Sequence, residues 1–310
     1  MTAIHVDTDI GGDTDDLCAL TMLLGWSGVN VAGVTTSTEE GGLRAALASY
    51  ALRLAGREGV PVVAGTEGSL GGYRGPHDLA DLDRYWPDPV KPEPSPPGAA
   101  LDLLARNAEE GATIVAIGPW TNLALLEAAR PGLLSSTRVV VMGGCVRPPG
   151  PGLVSLTPDM DYNVQQDIVA ARLVWERCAP VLVQRPVCLE AGLREAHLTK
   201  LRQGGRLARL IAHQGELHGA DWDMRSTGRE HPNLPDDLLN FHYDPLACAV
   251  AAGWDGALVE ELELVARQDD GLLGFDAEPG GRKTQVVTVI DGLRFEEEWL
   301  RAVASVGLED

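Results

Sequence analysis

Short, almost wholly apolar runs alternate with amphipathic stretches along most of this chain. Runs of this kind are typical of strands buried on both faces of a parallel sheet. The amphipathic stretches carry apolar residues at helical spacing and therefore predict helices. We predict strands at residues 3–6, 30–36, 60–64, 113–117, 138–142, 181–184, 258–265 and 284–290, and helices at residues 16–24, 43–54, 121–129, 165–175 and 295–303.

The alternation of strands and helices predicts an α/β fold with a doubly wound, mostly parallel sheet flanked by helices. Ligands bind such sheets at the carboxyl ends of the strands, so the loops that follow the strands are candidate site segments. Residues 66–97 and 218–237 interrupt the alternation of strands and helices and are predicted to be long irregular loops, which are often functional. No linker, repeat or block of charge divides the sequence, and we therefore predict a single domain over residues 1–310.

The chain of 310 residues has a formal net charge of −20 and a pI of about 4.7. An acidic surface repels nucleic-acid backbones and anionic membranes, so we expect a small-molecule ligand and no polymeric nucleic acid or membrane partner. The N-terminus predicts a strand that runs into acids instead of a signal peptide, and no run of about 18 apolar residues occurs, which indicates the cytoplasm. The five cysteines are scattered and odd in number, which is typical of free thiols and argues against a disulfide framework.

Five aspartates crowd the end of the first predicted strand. Two carboxylates at ~4 Å repel each other by roughly 4 kcal/mol at a surface-like dielectric, and a bound cation removes that cost. Hard divalent ions take oxygen ligands, and Ca²⁺ accepts six to eight of them in loose geometry. The glycine pair at 11–12 permits a tight turn, so that Asp9 and the later aspartates face one point. The cluster comprises Asp7, Asp9, Asp13, Asp15 and Asp16.

Two other interpretations of the cluster remain. Asp13, Asp15 and Asp16 also suit the start of the following helix, because Asp is favoured at the N-cap and in the first turn. Five acids at the carboxyl edge of a strand nevertheless favour a metal site, and the order of residues excludes an EF-hand. A haloacid-dehalogenase phosphohydrolase also begins with an Asp-rich strand end, but its DxDxT motif is absent because Ile and Gly follow the first DTD.

Five segments of this sequence together resemble the inosine–uridine preferring nucleoside hydrolases. The first resembles the family's DTDxGxDDAxAL signature with two extra residues in the turn, and the others resemble its GPLTN, MGG, EFN and HDPLA segments in the same order. The segments read VDTDIGGDTDDLCAL at 6–20, TIVAIGPWTNLALL at 113–126, VVVMGG at 139–144, PDMDYNVQQD at 158–167 and YDPLA at 243–247.

The resemblance implies Ca²⁺-dependent hydrolysis of the N-glycosidic bond of a ribonucleoside, giving free base and ribose. Its pattern implies that Asp9, Asp16 and Asp244 supply carboxylate ligands of Ca²⁺, and that the backbone carbonyl of Thr121 supplies another. Asp244 would also contact a sugar hydroxyl. Carboxylates around the ribose suit this reaction because positive oxocarbenium character develops there.

The same resemblance assigns the ribose contacts and the base that activates water. Asp15 would accept a hydrogen bond from the 2′-hydroxyl, and Asn163 and Asp161 would bind further hydroxyls. Asp9 would lie beside the metal-bound water and is the candidate general base.

Several positions depart from the family pattern. Tyr243 stands where the family has the His that protonates the leaving base, and His242 precedes it, so either residue is a candidate acid and His242 alternatively has a structural role. Glu40 stands where a ribose-contacting Asn is expected, unless it serves as a helix-start acid. Ser155 replaces an Asn near the 5′-hydroxyl, and Asp161 is a shortened acid. These changes suit an altered or 5′-modified sugar, or lost activity.

The two long irregular stretches supply candidate contacts to the base. His77 either faces the base or lies on the surface, and Trp222 either stacks on the base, with His218 nearby, or anchors packing. The resemblance further implies a homodimer or homotetramer. The alternative to a hydrolase is a non-catalytic or specialised relative that binds ribose or acts on a modified nucleoside.

Overall fold

The computed structural model describes residues 1–71, 79 and 82–307. The strands are β1 (Thr2–Thr8), β2 (Val29–Thr36), β3 (Val62–Ala64), β4 (Thr113–Ala116), β5 (Val139–Met142), β6 (Val181–Val183), β7 (Gly192–Arg194), β8 (Leu238–Phe241), β9 (Ala257–Asp269), β10 (Leu272–Ala277) and β11 (Arg282–Ile290). The helices are α1 (Asp15–Gly25), α2 (Leu43–Leu54), α3 (Leu82–Tyr85), α4 (Ala99–Glu109), α5 (Thr121–Ala129), α6 (Tyr162–Gln165), α7 (Ile168–Cys178), α8 (Arg185–Cys188), α9 (Glu195–Gln203), α10 (Arg206–Asp221), α11 (Met224–Glu230), α12 (Tyr243–Ala251) and α13 (Gly292–Ser305).

Nine of the strands found in the described residues form one sheet in the order β10-β9-β11-β6-β5-β4-β1-β2-β3. The strands from β6 to β3 pair in parallel, and β11 joins them in parallel beside β6. The order β3-β2-β1-β4-β5-β6 reverses direction between β1 and β4, which is the topological switch point of a doubly wound sheet. The predicted fold class is therefore confirmed.

The apolar strands bury side chains on both faces of this sheet. In β4, Val115 belongs to one apolar cluster while Ile114 and Ala116 belong to the other, as the two-residue period of a strand requires. Helices α1, α10, α12 and α13 pack on the first face, and α4, α5 and α7 pack on the second. The strands are thus fixed from both sides, and their carboxyl ends share one edge.

An antiparallel hairpin of β9 and β10 extends the parallel sheet on its β11 side. The edge strand β10 is contacted by the side chain of Gln165, at the end of α6. The Gln165 Nε2 atom donates to the carbonyl of Leu273 at 2.8 Å, and its Oε1 atom accepts from the Leu273 N–H at 3.1 Å. One amide therefore satisfies both backbone groups of this edge residue.

The structure corrects two of the helix and loop boundaries that were predicted from the sequence. The predicted helix over 165–175 is two helices, because the Asp167 side chain caps α7 by accepting from the Ala170 N–H at 3.0 Å. The prediction of an irregular loop over 218–237 is wrong, since α10 reaches Asp221 and α11 follows. The last turn of α10 and the helix α11 lack strong apolar periodicity, and packing against β8 stabilises them: Gly219 allows the close approach of Leu239. No helix in the described parts of the chain is both long and apolar enough to cross a membrane.

Candidate active site at the carboxyl edge of the sheet

The aspartate-rich loop lies at the switch point between β1 and β4. A side chain at Gly118, just after β4, would come within 2.8 Å of the Asp9 Oδ1 atom, so only glycine permits this approach. Gly11 has φ = 127°, a conformation that favours glycine, and produces the turn expected from the glycine pair. The buried Arg44 guanidinium donates to the carbonyls of Asp9 and Ile10 and fixes the loop from the side of α2.

Asp15 connects this loop to the start of α12. Its Oδ2 atom accepts from the backbone N–H groups of Tyr243 at 3.1 Å and Asp244 at 2.9 Å, which are the first two residues of that helix. The positive end of the α12 dipole also favours this carboxylate. Asp15 therefore caps the distant α12 and not its own helix, which argues against the local capping interpretation for this residue.

The acids of the loop and Asp244 interact strongly through their charges. Burial raises the pKa values of Asp15, Asp16 and Asp244 well above the usual range, and the neighbouring carboxylates raise them further. Asp9, Asp13, Asp15 and Asp16 all contribute to the shift at Asp244. The structure thus brings Asp244 close to the aspartate loop, although more than 220 residues separate them in sequence.

Asp7, the first acid of the cluster, belongs to a buried hydrogen-bond chain beneath the loop. Its Oδ1 atom accepts from Thr35 Oγ1 at 2.5 Å and from Asn122 Nδ2 at 2.8 Å, and Thr35 in turn contacts His5 Nε2 at 3.0 Å. Burial raises the pKa of Asp7 to about 7. Because its partners come from β2 and α5, Asp7 joins the elements on either side of β1 and lies below the other acids.

The donor set suits a hard divalent cation in its chemistry. The converging groups are oxygen ligands only, and Asp15 Oδ1 is buried without a hydrogen-bond partner among the described residues. Asp16 is oriented by Thr8, whose hydroxyl donates to its Oδ1 atom. However, within residues 1–71, 79 and 82–307 no three His, Cys, Asp or Glu side chains form a group spaced to hold a metal. The carboxylates are close enough to shift one another's pKa, and the ligand set Asp9, Asp16, Thr121 and Asp244 stays a prediction.

Thr121 begins α5 at the same edge, three residues after the Gly118 that contacts Asp9. Its hydroxyl donates to Asp167 Oδ2 at 2.8 Å. The same carboxylate accepts from the N–H groups of Leu70 at 2.7 Å and Gly71 at 3.2 Å. Asp167 therefore fixes both Thr121 and the loop after β3. The sequence showed Asp167 only as part of a motif and gave it no role.

Tyr243 and His242 occupy different environments although they are adjacent. The Tyr243 hydroxyl lies 3.4 Å from Arg185 Nη2, and the Arg185 guanidinium lies over its ring at 4.9 Å. Burial raises the pKa of Tyr243 to about 12, against the effect of Arg185. His242 is fully buried, with its ring 4.3 Å from that of Trp299 and 5.9 Å from that of Phe295.

The surroundings of His242 favour the structural role over the acid role. Burial lowers its pKa well below the usual range, with a further contribution from His197, so the ring is neutral. Its Nδ1 atom lies 4.0 Å from Asp15 Oδ1. Its assignment as a catalytic acid remains untested by these observations.

Asp161 and Asn163 hold the loops after β4 and β5 together. The Asp161 carboxylate accepts from the backbone N–H groups of Gly144 and Val164, and burial raises its pKa. Asn163 Nδ2 donates to the carbonyl of Ile117 at 2.9 Å. Both side chains lie at the carboxyl edge of the sheet and both hydrogen-bond with the backbone. Their ribose contacts remain predictions.

Glu40 and Ser155 are exposed. The neighbouring Glu39 is instead buried, and its carboxylate accepts from Thr36 Oγ1 and from the N–H groups at the start of α2, including Arg44 at 2.8 Å and Ala45 at 3.0 Å. The helix-start role considered for Glu40 thus belongs to Glu39. The ribose contacts predicted for Glu40 and Ser155 are not tested.

Trp222 and His218 lie at the end of α10. The Trp222 side chain is 69% exposed, and its ring lies 6.0 Å from that of the buried His218. Burial lowers the pKa of His218, although the nearby charge of Asp13 opposes this effect, which shows that His218 is near the aspartate loop. Trp222 is therefore exposed beside His218, and its contact with the base remains a prediction. His77 lies outside the described residues.

Comparisons with known proteins agree with the five segments. A family model described as inosine-uridine preferring nucleoside hydrolase matches residues 4–297. The chain is 28% identical over 312 residues to the pyrimidine-specific ribonucleoside hydrolase RihA of Salmonella choleraesuis (strain SC-B67), covering 93% of this chain and 88% of that protein.

Solved structures share the fold. A plant nucleoside hydrolase superposes with a TM-score of 0.78 at 20% identity over 98% of this chain and 99% of the other. A purine-preferring ribonucleoside hydrolase from Gardnerella vaginalis gives a TM-score of 0.78 at 20% identity over 98% of each chain. The resemblance inferred from the sequence is confirmed by the family match, and the chain belongs to the inosine–uridine preferring nucleoside hydrolase family.

Proposed function

We propose that this protein is a Ca²⁺-dependent N-ribohydrolase that converts a ribonucleoside and water to free base and ribose. The observation that carries the proposal is the convergence of Asp9, Asp15, Asp16 and Asp244 at the switch point of the sheet. Buried like charges are costly, and their retention around one edge suits a site that binds a cation and stabilises positive charge on a sugar. The relative's pyrimidine specificity makes uridine and cytidine the first substrates to test.

Asp9, Asp16, Asp244 and the Thr121 carbonyl would hold the ion. When bound, a divalent cation would lower the pKa of a coordinated water and orient the ribose hydroxyls. Asp9 would serve as the base that accepts a proton from the attacking water. In the metal-free protein burial raises the pKa of Asp9 to about 6, so the carboxylate is ionised near neutral pH and can bind the cation.

Asp15 would bind the sugar and Tyr243 would serve the leaving base. The Asp15 carboxylate is fixed by two N–H groups of α12 through Oδ2, and its Oδ1 atom is left to accept from a ribose hydroxyl. The Tyr243 hydroxyl can donate to the departing base while Arg185 supports its oxygen. A neutral phenol is a weak acid, so this donation stabilises the base by hydrogen bonding.

The test combines metal binding with turnover. Purified protein with CaCl₂ is expected to release reducing sugar from uridine or cytidine, and Asp9→Asn and Asp244→Asn should abolish release and weaken Ca²⁺ binding measured by calorimetry. Glu58→Gln, which changes an exposed acid before β3, is the matched control and should behave as the wild type. Absence of turnover on all common and modified nucleosides would rule out the hydrolase.

The second candidate is a non-catalytic or specialised ribose-binding relative. The high pKa of Tyr243 and the enclosure of His242 by aromatic rings favour it, because both features weaken proton donation to a leaving base. Binding of ribose measured beside hydrolysis separates the two candidates, since tight binding without turnover supports the second. The cytoplasmic location and the homo-oligomeric state remain predictions.

A further inference from the structure

Arg185 lies at the carboxyl end of β6, on the same edge of the sheet as the acids. Its Nη1 atom donates to the backbone carbonyl of Met160, and its Nη2 atom lies within hydrogen-bond distance of the Tyr243 hydroxyl. The plane of the guanidinium group also packs on the Tyr243 ring at 4.9 Å. The group is thus held in place by two neutral partners from different segments, Met160 before α6 and Tyr243 at the start of α12.

The guanidinium group of Arg185 has no ion-pair partner in the part of the chain that the structure describes. Other arginines of this acidic protein are paired at short distances, such as Arg194 with Asp237 at 2.8 Å and Arg294 with Asp255 at 2.5 Å. Asp161 is nearby, but both of its oxygens accept backbone N–H groups. Arg185 is therefore partly buried without a direct ion pair to any described residue, and the charge of the nearby Asp161 carboxylate acts on it at longer range.

The position of this charge relates it to the substrate. Tyr243 contacts Arg185 with its ring and donates its backbone N–H to Asp15, so it stands between the cation and the acidic cluster. A ligand that places its ribose on the acids therefore has Arg185 within reach of its other end. A rigid guanidinium group matches the oxygens of a phosphate or carboxylate with two parallel hydrogen bonds.

We propose that Arg185 recognises an oxyanion on the substrate, so that the site prefers ribosides with a phosphate on the sugar or a carboxylate on the base to neutral nucleosides. This inference rests on the proposed function, because it assumes that the ribose lies on the aspartate cluster. A phosphate and a carboxylate both present an oxyanion to the guanidinium group, and the choice of ligand in the assay distinguishes them.

The experiment compares neutral and anionic ligands on wild type, Arg185→Met and Arg185→Lys. Calorimetry with CaCl₂ present measures ribose against ribose 5-phosphate, and turnover assays compare uridine with uridine 5′-monophosphate and with orotidine. The wild type should favour one anionic ligand by about 10- to 100-fold, as expected for charge-assisted hydrogen bonds. Arg185→Met should lose this preference, and Arg185→Lys should retain part of it. Arg172→Met, which removes a surface arginine on α7, is the matched control.

The outcomes separate this inference from the proposed function. Turnover of uridine with no preference for either anion overturns the inference and leaves the hydrolase. Preference for an anion that survives in Arg185→Met also overturns it. Preferential binding of ribose 5-phosphate without turnover of any riboside supports the inference and overturns the hydrolase. If Arg185→Met does not fold, Arg185→Lys decides: a reduced preference supports Arg185, and an unchanged one overturns it.

Discussion

Replacement of Asp9 by asparagine is expected to stabilise the metal-free protein while it removes activity. Asparagine has nearly the same shape but no charge, so it eliminates the cost of holding a carboxylate among Asp13 and the other acids. Burial is the largest cause of the raised pKa of Asp9, and Asp13 adds to it, while Arg44 opposes it. The free energy of unfolding therefore increases because the folded state loses an unfavourable charge.

The pKa of Asp9 sets the size and the pH dependence of this effect. The difference between the ordinary value of 3.8 and about 6 corresponds to at most about 3 kcal/mol. Because the folded pKa is raised, the cost is absent below the ordinary pKa, grows as pH rises from about 4 to about 6, and is complete above that range. Asp9→Asn should thus gain up to about 3 kcal/mol at pH 8 and almost nothing near pH 4.

Urea denaturation followed by circular dichroism measures the effect. In EDTA at pH 8, Asp9→Asn should unfold at higher urea than the wild type, and Glu58→Gln should not. Addition of CaCl₂ should reverse the order, because an ion that binds the folded wild type stabilises it by mass action. This account of the cluster would be refuted if Asp9→Asn were no more stable than the wild type in EDTA at pH 8. It would also be refuted if the substitution stabilised the protein by the same amount at pH 4 and at pH 8.

Three further substitutions test neighbouring parts of the site. Asp167→Ala removes an acceptor of four hydrogen bonds and should lower the free energy of unfolding, measured by urea denaturation, by about 4 kcal/mol, and Asp167→Asn should lower it by roughly half as much. A decrease below about 1 kcal/mol for Asp167→Ala would contradict its bridging role. Glu39→Ala should lower the free energy of unfolding, measured by thermal denaturation, by about 3 kcal/mol because it removes the buried cap of α2, whereas Glu40→Ala should change it by less than about 0.5 kcal/mol. Equal effects of the two substitutions would contradict the burial of Glu39. Tyr243→Phe should lower kcat for uridine about 100-fold with unchanged stability, and an unchanged kcat would remove the hydroxyl from the reaction.

The features that the sequence predicted are local ones. Strands such as β4 were recognised because a short run of consecutive apolar residues is visible in the local sequence and is typical of a strand covered on both faces. The aspartate loop was recognised because its five acids follow one strand within ten residues. Asp244 is far away in sequence, and only the resemblance to a family connected it with Asp9.

The features that the sequence missed depend on tertiary contacts. Glu39 and Glu40 are adjacent and chemically identical, and only the direction of the chain before α2 decides which one is buried. Arg185 follows a short strand without any motif, so nothing in its neighbours indicated a contact with Tyr243. The helix α11 was missed because its sequence, MRSTGRE, has no apolar stripe and folds against β8 through tertiary packing.

The paired hydrogen bonds between Gln165 and Leu273 connect the edge strand of the sheet with the short helix α6. At this residue the amide occupies the N–H and C=O groups that an incoming strand from another molecule would need, so it protects the hairpin against edge-to-edge association. Gln165 also ends the short helix that carries Asn163. A slip of β10 by one residue would therefore pull on that helix, so the register of the outermost hairpin and the position of Asn163 are mechanically linked.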